Sequence, residues 1–133
     1  MGVLKVYLRF VVHNKDSDSH RFQGLFHAGH DLIHSGKLTY EEAGKLKELM
    51  AWFGDNLKVP SRFARSKNPS AHNKAISWFK DSAKEHIRKM REIARLLDSY
   101  GVPTKMIQEK KIGYVVYEDE CQVTAVPFGE TKA

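Results

Sequence analysis

Two groups of side chains have spacings that could do chemistry, and the first is cationic. Lys84, Arg88, Arg91 and Arg95 repeat at i, i+4, i+7 and i+11, so on a helix they stack along one side. Upstream, Lys58 to Lys80 holds no acidic residue and contains Arg62, Arg65, Lys67 and Lys74. A guanidinium can fork onto two phosphate oxygens, and a loop can adapt to a backbone. Together these residues read as an anion-binding surface for nucleic acid or another polyanion. The competing reading is a solvated helix face and a neutral basic loop. The second group is imidazole. His20, His27, His30 and His34 fall on one flank of an expected helix, with Asp31 nearby. His30 and His34 stand at i and i+4, a spacing that can chelate one ion, and His27 would add a third ligand at i−3. The residue after His30 is Asp31, where the zincin signature has Glu. A polar flank is the plainer reading, so no metal and no other cofactor is assigned. His27, His30 and His34 stand as the metal alternative.

The rest of the chain offers no recognisable catalytic set. No Gly-rich phosphate loop, nucleophile elbow or metalloprotease motif is present. No catalytic residue is assigned, and an enzyme ranks behind a binding role. Glu118-Asp119-Glu120 reads as a solvated hairpin tip, because adjacent carboxylates alternate sides and converge poorly on Mg²⁺ or Ca²⁺. Cys121 stands alone and reads as a small buried residue in a strand. A single cysteine without a recognisable leader points to a reducing cytoplasm. No apolar run is long enough to span a bilayer, so no membrane partner is expected. The net charge of +6 permits a polyanionic partner and speeds encounter with one.

The elements that must position these groups are legible from periodicity. Ile76-Ser77-Trp78-Phe79-Lys80-Asp81 is an aromatic step leading into a helix. Ser82 with Glu85 fits a capping box, and Gly101 with Pro103 marks the stop. Between them Ala83, Ile87, Met90, Ile93, Ala94, Leu97 and Tyr100 form one apolar stripe. At least one of Trp78 and Phe79 is expected to anchor the core beneath it. Leu4 to Val12 alternates as a strand with one buried face. A helix is expected from about His20 to Ser35, with Gly29 on its buried stripe and Gly36 after its end. Thr39 with Glu42 forms a second capping box, and the next helix runs to about Leu57. The short connection makes these two helices antiparallel neighbours. Lys58 to Asn73 reads as a long connection. Pro103–Gln108, Tyr114–Tyr117 and Cys121–Val126 read as strands.

The segments Leu8-Arg9-Phe10-Val11-Val12, Gly24-Leu25-Phe26, Ala75 to Asp81 and Gly113 to Glu120 resemble a family of small uncharacterised bacterial proteins. The resemblance runs over nearly the full length. It implies a single bacterial domain and carries no activity and no functional residue. The expected fold is α+β, in the order β-α-α-α-β-β-β. A four-stranded, mostly antiparallel sheet has helices packed on one face, and its last three strands form a meander. Residues 1–128 are expected to form one domain, with 129–133 a frayed tail. Two functional classes remain. One is a basic module binding nucleic acid or another polyanion; the other is a protein-interaction or regulatory module, including a homodimer.

Overall fold

The computed structural model describes residues 5–15, 22–60 and 75–128. The fold is α+β, with three helices and a mostly antiparallel sheet of six strands. In chain order these are β1 (Tyr7–Lys15), β2 (Phe22–Gly24), α1 (Leu25–His34), α2 (Tyr40–Asn56), β3 (Ile76–Lys80), α3 (Lys84–Ser99), β4 (Thr104–Glu109), β5 (Tyr114–Glu118) and β6 (Gln122–Val126). Three expectations change. The sheet has six strands, not four, and a strand stands between α2 and α3 where the spacing predicts only a lead-in to the helix. The last three strands are also no simple meander, because β4 pairs β1 while β5 and β6 pair each other. The chain divides into two compact units, one of 1–9, 59–87 and 107–133, the other of 10–58 and 88–106.

In the first unit β3 is antiparallel to the start of β1, with Tyr7 opposite Lys80 and Leu8 opposite Phe79. On its other edge β3 pairs β6, Trp78 opposite Val123. β6 then pairs β5, with a bulge between Val115 and Tyr117. Neighbouring residues of a strand face opposite ways. Trp78 is 1% exposed and Phe79 8%, so both faces of β3 are covered. The same holds for β6, where Gln122, Val123, Thr124 and Ala125 are all buried. A strand buried on both faces has no apolar alternation, which is why β3 does not read as a strand from sequence. Thr124 and Ser77 answer each other across the β3–β6 pair with hydroxyls 2.7 Å apart. Gly113, at φ +124°, passes directly over the Val126 carbonyl, and a Cβ there would overlap that group.

In the second unit the later part of β1 pairs β2, with Val11 opposite Gly24. β2 takes up the residues before Leu25, so α1 is shorter than the helix expected from His20. α1 and α2 are joined across Gly36, which takes φ +74° as a helix-terminating glycine does. Gly29 is buried, and a Cβ there would stand 3.3 Å from Met50 Sδ. The missing side chain lets α2 come close. Phe26 meets Phe53 edge to face with centroids 4.9 Å apart. α2 begins with the expected capping box: Thr39 Oγ1 accepts from the Glu42 N–H, and the Glu42 carboxylate accepts from the Thr39 N–H, both at 3.2 Å. α3 ends in a Schellman turn, with the Val102 N–H donating to Leu97 O at 3.0 Å, the Gly101 N–H to Asp98 O at 3.1 Å, and Gly101 at φ +80°.

Replacing Trp78 by Ala is expected to lower stability by about 3–5 kcal/mol in urea unfolding. Its Nε1 is buried without a hydrogen-bond partner, so Phe should cost less than half as much. Equal losses for Ala and Phe would contradict this burial. Gly113→Ala should cost at least about 2 kcal/mol, since the strained φ and the steric overlap add.

Candidate functional site

The cationic face rests on α3. Ile87, Met90, Ile93 and Leu97 are buried at 8, 3, 0 and 0% exposure. Their spacing turns the opposite side outward, and Lys84, Arg88, Arg91 and Arg95 are all exposed. Lys84, the first residue of the helix, belongs to the first unit; Arg88, Arg91 and Arg95 belong to the second. From Arg88 to Arg95 is seven steps, about 10 Å along the axis at a rise of about 1.5 Å per residue. The helix starts at Lys84, with the Ile87 N–H donating to Ala83 O at 3.0 Å. That is one residue later than a cap at Ser82 sets it. Arg62, Arg65, Lys67 and Lys74 lie outside the described residues, as do His20 and the tail 129–133.

Within the second unit, Arg95 does not stand alone. It lines a cleft of about 250 Å³ with Lys45, Leu49, Glu92, Leu96 and Ser99. Lys45 from α2 and Arg95 from α3 bring two cations to it beside Leu49 and Leu96, and Glu92 offsets part of their charge. The same two helices are also tied by Tyr100, just past the end of α3, whose hydroxyl donates to the Glu42 carboxylate of α2. Glu42 is held below the usual carboxylate range by the Tyr100 hydroxyl first and then by the Thr39 side chain and N–H. The same bond raises Tyr100 above an ordinary phenol. The Glu42 carboxylate therefore caps α2 and pins α3 with one group. Lys89 lies over the Trp52 ring, 5.0 Å from its centroid, a cation–π contact between the same two helices.

Lys45 carries no signal of its own in the sequence. It sits among Glu41, Glu42, Lys47 and Glu48 on a mixed-charge helix, and only the packing of α2 on α3 brings it to Arg95. The Arg95 guanidinium and the Lys45 ammonium suit an anion with several oxygens, and Leu49 and Leu96 suit a flat or aliphatic group beside it.

The histidines fall on the exposed side of α1. His30 and His34 face each other, Nε2 to Nε2 at 3.1 Å. His27 turns instead to Asp31, 3.5 Å away. Among the described residues no three His, Cys, Asp or Glu side chains are grouped to hold a metal ion.

The acidic tip of the first unit is built otherwise than a solvated turn. Asp119 Oδ1 accepts from the Cys121 N–H at 3.0 Å, the Gln122 N–H at 3.1 Å and the Cys121 thiol at 3.3 Å. Its Oδ2 accepts from the Tyr117 hydroxyl at 2.8 Å and Gln122 Nε2 at 3.0 Å. Burial alone would raise the Asp119 pKa, yet these donors outweigh it and lower it from 3.8 to about 2. Burial, then the bond to Asp119, pushes Cys121 up to about 11. Cys121 is thus a protonated donor at neutral pH and a poor nucleophile. It is half-buried beside the strand rather than within it. Glu118 pairs with Lys80 at 2.7 Å. A second cleft, of about 260 Å³, lies among Lys5, Val6, Tyr7, Lys80, Asp81, Ser82 and Glu120.

No helix among the described residues is long and apolar enough to cross a membrane. The chain matches no protein-family model, no curated protein and no solved structure.

Asp119 generates a pH prediction. Its folded pKa of about 2 lies below the ordinary 3.8, so its stabilisation is complete above about pH 4. It is lost as the pH falls toward about 2. Urea midpoints between pH 5 and pH 2 should fall less steeply in Asp119→Asn than in the parent. At pH 7, Asp119→Ala should cost about 2 kcal/mol. Parallel pH profiles for parent and Asn variant would contradict the assignment.

Proposed function

We propose that the chain is a small basic module that binds a polyanion, nucleic acid foremost, through Arg88, Arg91 and Arg95 of α3. One observation carries this reading: three guanidinium groups are exposed on the side of α3 opposite its buried stripe. Lys45 beside Arg95 extends the surface across α2. Lys84 starts the same helix, and Arg62, Arg65, Lys67 and Lys74 join the reading from the sequence alone, as part of the chain's basic charge. Phosphates of one DNA strand succeed each other at about 3.4 Å along the axis. A row of about 10 Å therefore meets about three of them. The binding is expected to follow backbone charge and to read sequence weakly. No catalytic residue and no cofactor enter this reading. The single cysteine, held as a thiol, fits a reducing cytoplasm. Kinship with the small bacterial family rests on the resembling segments alone.

A second reading has its own support. Tyr114 on β5 is 70% exposed, with Phe128 edge-on to its ring at 4.9 Å. Such an aromatic pair suits a protein partner or a second copy of the chain. If it does, light scattering should show mass rising with concentration, and Tyr114→Ala should abolish the rise. A constant monomer mass would remove the homodimer.

The polyanion reading is tested by anisotropy titrations of labelled single-stranded and duplex DNA between about 50 and 200 mM salt. Three contacts predict a slope of log K against log[salt] of about −2 for single strands and about −3 for duplex. Reversing Arg88, Arg91 and Arg95 to Glu should weaken binding at least about tenfold at low salt and flatten the slope. These positions are exposed, so circular dichroism should report an intact fold. Equal affinity of parent and variant, or no binding by the parent at low salt, would overturn it.

A further inference from the structure

α1 closes on two imidazoles set at the bite of a metal ion. His30 and His34 are one turn apart, so they project from the same flank of the helix. Their Nε2 atoms lie 3.1 Å apart, with ring centroids at 4.4 Å and planes inclined by 72°. Zinc binds imidazole nitrogen at about 2.0–2.1 Å. Two such bonds at a right angle hold their nitrogens about 2.9 Å apart, and at the tetrahedral angle about 3.3 Å. The observed separation falls between the two. The two nitrogens thus already stand at the spacing one ion needs, and only ring rotation, with no movement of the helix, is required to turn both onto it.

The surroundings favour a cation there. Both rings are exposed, so a hydrated ion can reach them. His34 is the last residue of α1, where the unsatisfied carbonyls carry the negative pole of the helix, and His30 lies one turn before it. The Asp31 carboxylate lies between them in sequence and adds negative charge. The His-x-x-x-His spacing is the one that helical zinc sites use.

We propose that His30 and His34 form a two-imidazole site for a divalent transition-metal ion. His27 is not a member, because it faces Asp31. The proton that the two Nε2 atoms share moves through solvent to Nδ1 of the ring that carried it. The ion takes its place on the two lone pairs, and no other bond changes. No third protein ligand is grouped there among the described residues, so water fills the remaining positions. That makes the site open and exchangeable rather than a closed structural one. Soft-to-borderline ions are favoured in the order Cu²⁺, Ni²⁺, Zn²⁺ under their usual ranking, over Mg²⁺, which prefers oxygen.

The test uses the whole chain with CuCl₂, NiCl₂ and MgCl₂. Substoichiometric Cu²⁺ should broaden NMR amide signals most strongly around residues 30–34. Calorimetry with Ni²⁺ should give a saturable site that weakens at least about tenfold in both His30→Ala and His34→Ala. His27→Ala and His86→Ala should bind within about twofold of the parent, and Mg²⁺ should bind none of them at this site. Broadening centred elsewhere, or unchanged Ni²⁺ affinity in His30→Ala and His34→Ala with the fold intact by circular dichroism, would overturn the proposal.

Discussion

The burial of Ile87, Met90, Ile93 and Leu97 on one side of α3 sets the direction in which its charges point. A helix with 3.6 residues per turn cannot hide that stripe without presenting Arg88, Arg91 and Arg95 on the other side. Burying an unpaired guanidinium would cost several kcal/mol, so the orientation has no competitor. The Schellman turn at Gly101 then ends the helix and sets where Tyr100 sits. From there the Tyr100 hydroxyl reaches the Glu42 carboxylate, the same group that caps α2. The cleft holding Lys45 and Arg95 lies between the same two helices. Hydrophobic burial supplies the energy here, and one shared carboxylate supplies the alignment.

In the first unit the governing condition differs. β6 is buried on both faces, and two of its buried side chains are polar, Gln122 and Thr124. Each needs a partner, because a buried polar group without one costs about 1–3 kcal/mol. Ser77 answers Thr124, and Asp119 answers Gln122. Asp119 also gathers the N–H groups of the turn, so its charge is consumed in holding β5 and β6 together. The exposed arginines of α3 contrast with this. Asp119 is turned into the turn it holds, while the arginines lie on an exposed helix face.

Much of this arrangement can be read from residue spacing alone, and the failures have physical reasons. The stripe and basic face of α3, the Thr39–Glu42 box, the two terminating glycines and the strands β1, β5 and β6 all come from local patterns. β3 does not, because Trp78 and Phe79 are adjacent and both buried, which erases the period of two. β2 is three residues long, too short for any period. The pairing of β4 with β1 is a long-range choice that a local meander signal outweighs. At the candidate site the arginines are legible, since helical repetition is a property of one segment. Lys45 is not, since its role arises only where two helices meet. Asp119 reads as a solvated tip because several of its donors are backbone groups, which have no letter in the sequence. His30 and His34 announce themselves by spacing, but the bite between their nitrogens is a matter of rotamers.

The polyanion, on this view, meets the outward face of α3 together with Lys45 of α2. The most direct measurement is a heteronuclear NMR titration of the intact chain with a short single-stranded oligonucleotide at low salt. It should move the signals of Arg88, Arg91, Arg95 and Lys45 together, along straight lines that reverse as salt is added. Shifts gathered at Tyr114 and β5 instead, or a spectrum that does not change, would contradict it.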